Sequence, residues 1–197
     1  MAMEPNPAWL SAWLTGKASE PEALARFDSL PGAVPERLTG VWRGVGLATG
    51  HPLDDLLEIL GWYGKSVEDP DRVHPLLFRR PSGRVVPINP ALMPTGVALR
   101  WPALARSRAS RSAFAALGQL LHAPRHAARI RLRSFRGKSG AALIYHDQPI
   151  IDHLRRVDGD KLIGLMERSG MERPYFFLLR RDAQGASPGA AESEQRG

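Results

Sequence analysis

From Arg129 to Arg181 the chain runs through five short strand-like segments separated by hairpin-length turns, and few folds accommodate such a pattern. The segments are Arg129 to Arg136, Ala141 to His146, Ile150 to Val157, Lys161 to Glu167 and Tyr175 to Arg181. In the first, Arg129, Arg131 and Arg133 alternate with Ile130 and Leu132, the period of a half-exposed strand. Arg136 to Gly140, Asp147 to Pro149 and Asp158-Gly159 supply the turns, and the Asp-Gly pair is a strong hairpin signal. A five-strand meander leaves two open edges, and closing the sheet removes them. The strand partners expected to complete the circle are Gly40 to Thr49 and two short runs near Val73 to Phe78 and Arg84 to Ile88. In the first of these Val41, Val45 and Leu47 share one face, and Gly40, Trp42, Gly44 and Gly46 share the other. About eight strands enclose a space that side chains fill or one small ligand occupies.

Helices are expected around this sheet. Asn6-Pro7 opens one that carries Trp9, Leu10, Trp13 and Leu14 on one face. Ser19 and Glu22 form a capping box for a second, with Leu24, Phe27 and Leu30 at helical spacing and Pro31-Gly32 as its stop. Leu53, Leu56, Leu57 and Leu60 predict a short helix ended by Gly61 and acting as a lid, and Pro102 to Leu121 predicts a longer one with Phe114, Leu117 and Leu121 aligned. The chain thus divides into N-terminal helices packing on or plugging the barrel (1–37), one barrel (38–182) and a disordered tail (183–197) poor in apolar residues.

With 197 residues, 43% of them hydrophobic, one domain with a sizeable core is expected. No apolar run approaches the roughly 20 residues of a spanning helix, and Glu4, Glu20, Glu22 and Asp28 interrupt any signal-peptide core. The absence of cysteine removes disulfides and thiolate chemistry, and a cytoplasmic location is expected. Basicity is regional. Arg100 to Lys138 contributes +10, leaving −3 for the remainder of the +7 total, so that segment is a candidate contact for an anionic lipid surface. Nucleic acid is the weaker expectation, and a solvated face is the bland one.

Gly40-Val41-Trp42-Arg43-Gly44, HPLDDLLEILGWYGK (51–65) and VHPLLF (73–78) resemble the GXWXG family, named for its glycine-flanked tryptophan. NPALMP (89–94), FRGKSGAALIYHDQPIIDHLRRVDGDKLIGLMERSG (135–170) and PYFFLLRR (174–181) resemble the companion domain of unknown function that commonly follows it. The resemblance spans Leu38 to Arg181. It implies a mainly β fold with accessory helices: a closed antiparallel lipocalin-like or calycin-like β-barrel with N-terminal and inserted helices, similar to lipocalins, fatty-acid-binding proteins and nitrobindins. It implies binding of a lipid or other hydrophobic molecule and carries no assigned reaction.

Asp147, Asp152, His146 and His153 are the one dense cluster of proton-transfer residues. In a regular strand Asp152 and His153 point to opposite faces, and if Ile150 and Leu154 face inward, Asp152 is buried and needs a donor such as an arginine or tyrosine. Such a carboxylate is more often a structural partner than a general base. An enzyme acting as isomerase or hydrolase on a hydrophobic substrate would draw its acid and base from these four residues. No HExxH or GxSxG occurs, no metal set is expected, and no cofactor is expected. A haem held by His74 or His153 is the alternative that the nitrobindin comparison implies. The expected ligand contacts are Trp42, Arg43, Trp62, Tyr63, Tyr145, Asp152, His153, Arg155, Tyr175 and Phe177, because small-molecule pockets are mostly apolar with a few polar anchors. The expected function is an intracellular binding protein for a hydrophobic small molecule or lipid held in the barrel cavity. Enzyme and basic-module readings remain as alternatives.

Overall fold

A computed structural model describes residues 5–92, 102–107, 109–110, 112, 114 and 125–183. Among them, nine strands form one antiparallel sheet: β1 (Gly40–Gly46), β2 (Trp62–Asp69), β3 (Arg72–Arg79), β4 (Val85–Pro87), β5 (Ala128–Phe135), β6 (Lys138–Tyr145), β7 (Ile150–Arg156), β8 (Lys161–Arg168) and β9 (Tyr175–Arg181). Eight of them close a barrel. The circuit runs β1, β2, β3, β5, β6, β7, β8, β9 and returns to β1, while β4 is a flap on the second half of β3 through Leu77↔Pro87, Phe78↔Val86 and Arg79↔Val85. Among the described residues four short α-helices accompany the strands: α1 (Ala8–Thr15), α2 (Glu20–Ser29), α3 (Leu56–Ile59) and α4 (Pro102–Ala105).

The circle is not equally strong all round. β5 and β6 share an eight-residue register, but β3 and β5 pair only at Val73↔Ala128, reinforced by backbone bonds from Ala127 to Val73 and from Ile130 to Pro70. At the bottom of the barrel the chain after α2 wedges between β6 and β7. Ala33 donates to the Leu154 carbonyl and accepts from the Ala141 amide, and Arg156 donates to Pro31, so the linker replaces ladder bonds the two strands do not make.

Alternation along the strands separates two apolar layers. Tyr175, Phe177 and Leu179 of β9 face the barrel core, whereas Phe176 and Leu178 face outward with Ile163 and Leu165 of β8. The outward set is covered by Leu10 and Trp13 of α1 and by Phe27 of α2, with Trp13 and Phe27 rings 5.6 and 6.4 Å from Phe176. α2 begins as its capping box predicts: the Glu22 amide donates to Ser19 Oγ and the Ser19 amide to Glu22 Oε2. The bidentate pair from Arg136 to Asp28 fastens this helix to the β5–β6 turn, at 2.7 Å for each bond.

Several expectations change. β2, which carries Lys65, completes the barrel, and the Arg84 region is only the flap β4. Leu132 is 64% exposed although it shares a face with buried Ile130, because past Ile130 only β6 pairs with β5 among the described residues. The tight turn between β5 and β6 is Arg136-Gly137, where both residues have positive φ (49° and 75°) and fit a two-residue hairpin loop. The helix before Gly61 is a single turn, since Asp55 at its start adopts φ 63°. Most of the helix expected over 102–121, and the tail from 184, lie outside the described residues.

The Gly40-to-Gly44 motif has a packing reason. Trp42 turns inward and its indole donates to the Leu38 carbonyl at 2.7 Å, while Arg181 stacks on its ring at 4.2 Å. Two residues on, a Cβ at Gly44 would stand 2.3 Å from the Trp62 ring, so glycine lets that ring lie against the strand. Gly44→Ala is expected to lower stability by about 1–3 kcal/mol through overpacking, while Gly159→Ala, which meets nothing within 4 Å, serves as the neutral control. Urea unfolding followed by tryptophan emission checks both.

Candidate functional site

The pleat of β7 sends Asp152 inward with Ile150 and Leu154, and His153 and Arg155 outward. Asp152 has no exposed surface, so its charge requires a partner. Lys65 of β2 supplies it: Nζ lies 2.8 Å from Asp152 Oδ2, and also donates to the Pro75 carbonyl at 3.0 Å and to Tyr145 Oη at 3.2 Å. Irregular register in β2 around Gly64 allows both Trp62 and Lys65 to face the core. The ammonium sits against the Phe177 ring at 4.9 Å and the Tyr145 ring at 5.6 Å, which favours a desolvated cation. Tyr145 completes the group by donating to Asp152 Oδ2 at 3.1 Å, whereas Asp152 Oδ1 has no hydrogen-bond partner among the described residues.

Below this pair the barrel is filled. Leu38, Trp42, Val67, Ile130, Leu143, Leu154, Leu162 and Leu179 surround a void of ≈10 Å³ beside Lys65. That is about the space of one water, too small for any organic ligand.

Above it the barrel has a mouth built by the β1–β2 connection. Asp54 Oδ2 accepts the amides of Thr49, Gly50 and His51, which holds this loop in place, and Arg106 clamps it through the Pro52 and Asp54 carbonyls. Glu58 on α3 accepts the Gly46 amide at 2.5 Å, and a Cβ at Gly46 would stand 2.6 Å from the Tyr175 hydroxyl. Tyr175 Oη and Glu58 Oε2 have no hydrogen-bond partner among the described residues, although both are buried atoms. Between α3 and the β3–β4 flap opens an apolar cleft of ≈300 Å³ lined by Ile59, Leu60, Phe78, Val86, Ile88 and Phe114, with Arg79 and Arg80 beside it. A larger depression of ≈610 Å³ lies along the β6–β7 and β8–β9 turns, but the turn residues Gln148 and Ser169 and the polar end of β8, Glu167 and Arg168, form much of its wall.

Of the expected ligand contacts, Trp42, Trp62, Tyr145, Asp152, Tyr175 and Phe177 face the barrel core. The other four do not. Arg43 and Arg79 sandwich the Tyr63 ring at 5.1 and 4.9 Å on the outside, and the Tyr63 hydroxyl donates to Asp182. His153 stacks on Phe135 at 3.6 Å and pairs with Glu167 at 3.2 Å, and Arg155 lies over Phe27 of α2 and donates to the Phe135 carbonyl. Asp152 and His153 therefore form no acid–base couple, because the pleat separates them, and His146 and Asp147 sit exposed in the β6–β7 turn. Neither histidine of the haem alternative faces the interior: His153 stacks on Phe135 on the outer face, and His74, opposite Ser66, packs against His126 with the rings 4.4 Å apart and tilted.

Lys65, Glu58 and the cleft residues are the participants that sequence reasoning missed. A signal for Lys65 existed, since a carboxylate assigned to the interior demands a cation, and Lys65 stands in an apolar stretch beside Trp62.

The pattern of the GXWXG protein family matches residues 25–83, and that of the domain of unknown function DUF4334 matches residues 126–181. A solved crystal structure of a protein from Thermomonospora curvata is 27% identical, covers 88% of this chain and 95% of its own, and superposes with a TM-score of 0.65. No curated protein matches the sequence.

Two outcomes follow from the buried group. Asp152→Asn leaves Lys65 uncompensated and is expected to cost about 3–5 kcal/mol in urea unfolding, whereas Lys65→Met with Asp152→Leu recovers most of that loss. All three tyrosines have pKa values raised above the ordinary value of about 10. Burial is the largest cause in each, followed by the Asp152 charge for Tyr145, the Glu58 charge for Tyr175 and the Asp182 hydrogen bond for Tyr63. A raised pKa means the folded state holds its proton longer, so this contribution to stability is complete below pH of about 10 and is lost as pH rises above it. Tyrosinate absorbance is expected to appear together with loss of near-UV circular dichroism. Ionisation of a tyrosine near its ordinary pKa in the still-folded chain would contradict this.

Proposed function

Since the chain belongs to the GXWXG family and carries its companion domain of unknown function, we propose that it binds a small amphipathic molecule at the mouth of its β-barrel. The ligand has an apolar body, of the size of a medium-length acyl chain or small terpenoid, and an acidic head. The observation that carries this reading is the ≈300 Å³ apolar cleft between α3 and the flap, at the lower end of the ordinary range of about 300–1,000 Å³ for ligand pockets. Arg79 and Arg80 stand beside the cleft, where an anionic head would be favoured. Each methylene buried there contributes about 0.8 kcal/mol, against which the loss of translational and rotational freedom must be set. The packed core around Trp42, with only a ≈10 Å³ void among the described residues, favours the mouth as the binding place and a small ligand over a long chain.

An acid–base reading of Asp152, Lys65 and Tyr145 has less support. The carboxylate and ammonium neutralise one another, and neither side chain is exposed to solvent by more than 3%.

Displacement of a fluorescent fatty acid by decanoate from the tag-free full chain tests the proposal. Saturable one-site binding is expected, and Leu60→Trp, which fills the cleft from a half-buried position, is expected to weaken it at least about tenfold, or roughly 1.4 kcal/mol. Absence of saturable binding, or equal affinity in Leu60→Trp, would overturn it.

A further inference from the structure

The weakest joint of the barrel brings together three metal-ligating side chains from three separate segments. Glu68 lies near the end of β2, His74 follows Val73 at the start of β3, and His126 stands two residues before Ala128, the first residue of β5. Their donor atoms all lie within 4.8 Å of one another. His126 Nε2 is 3.0 Å from Glu68 Oε1, and the two imidazole rings are 4.4 Å apart at 35°. We propose that Glu68, His74 and His126 bind one Zn²⁺-type divalent cation that staples β2 and β3 to β5 where strand pairing is thinnest.

Two imidazoles and one carboxylate form a borderline donor set that suits zinc and its first-row neighbours and not the oxygen-seeking Mg²⁺ or Ca²⁺. In a tetrahedral site with bonds of about 2.0–2.1 Å, donor atoms stand roughly 3.3 Å apart. The Glu68–His126 separation is already near that value, and the set as a whole closes by small side-chain rotations. Glu68 Oε2 faces Arg72 at 3.4 Å, so one carboxylate oxygen can ligate while the other stays oriented by that guanidinium, a common support for a metal-bound carboxylate. The carboxylates of Asp69 and Asp71, in and after the end of β2, pair with Arg72 and Arg131 and moderate the positive charge around the site. Three protein donors leave a fourth position for water.

The location gives the ion its purpose. Val73↔Ala128 is the single paired position between β3 and β5, and His74 and His126 flank it. A cation bound by both joins strands that little else joins, and binding to the folded state alone stabilises it by mass action. Sequence spacing hides the set, because the β2–β3 hairpin carries Glu68 and His74 while His126 lies far along the chain.

The test uses the full chain without an affinity tag, stripped with chelator and titrated with ZnCl₂ by calorimetry. One equivalent is expected to bind, with Tm raised by roughly 5–10 °C at a hundredfold excess of free zinc over Kd. Tetrahedral Co²⁺ absorption is expected on cobalt loading. His126→Ala and Glu68→Gln, both at partly exposed positions, are each expected to weaken binding at least about tenfold while circular dichroism stays that of the parent. Zinc that fails to bind, or that binds both variants as tightly as the parent, overturns the proposal. MgCl₂ serves as the control that should produce neither heat nor a Tm shift.

Discussion

A lysine and an aspartate meet inside this barrel, and the arrangement of everything around them follows from where they meet. Lys65 is on β2 and Asp152 on β7, four steps apart in an eight-strand circuit and therefore on opposite walls. Their 2.8 Å contact crosses the core and divides it. Such pairs add little net stability over apolar residues, because desolvation offsets the attraction, but an unmatched partner is costly. Shifting β2 by one residue would turn Lys65 outward and strand Asp152, so the pair fixes how β2 enters the barrel.

The glycine-flanked tryptophan belongs to the same division. Trp42 fills the closed half, tied to Leu38 and covered by Arg181, and Gly44 yields its volume to Trp62, which packs edge-on to Phe177 above the ammonium. Lipocalin-like architecture usually suggests a deep central cavity. Here, among the described residues, interior side chains fill the half around Trp42, and an apolar cleft opens at the rim, where α3, the flap β4 and Phe114 meet.

The five-strand meander was legible because its period of two and its turn residues agree over more than fifty residues of sequence. β2 was not, because the irregular register around Gly64 breaks the alternation of Trp62 to Asp69 and turns a lysine into the core. The same irregularity reverses the assignment of Tyr63, which faces out between two arginines. The inward direction of Asp152 could be read from Ile150 and Leu154, but its partner lies 87 residues earlier, and no local pattern announces a contact of that range. His146 and Asp147 looked chemical because they are adjacent in sequence, a property that a solvent-facing turn shares with an active site. The group of Glu68, His74 and His126 is the reverse case: one hairpin carries the first two, and barrel closure brings the third to them from far along the chain.

The proposed ligand site lies at the rim and not in the core. Titrating decanoate into the ¹⁵N-labelled chain and following amide and indole resonances tests it directly. Shifts are predicted at Leu60, Gly61, Phe78, Val86 and Ile88, with the Trp42 indole, hydrogen-bonded to Leu38 in the filled half, left unmoved. Saturable movement of the Trp42 indole together with the Leu143 and Leu154 amides would place the ligand inside the barrel and contradict the account.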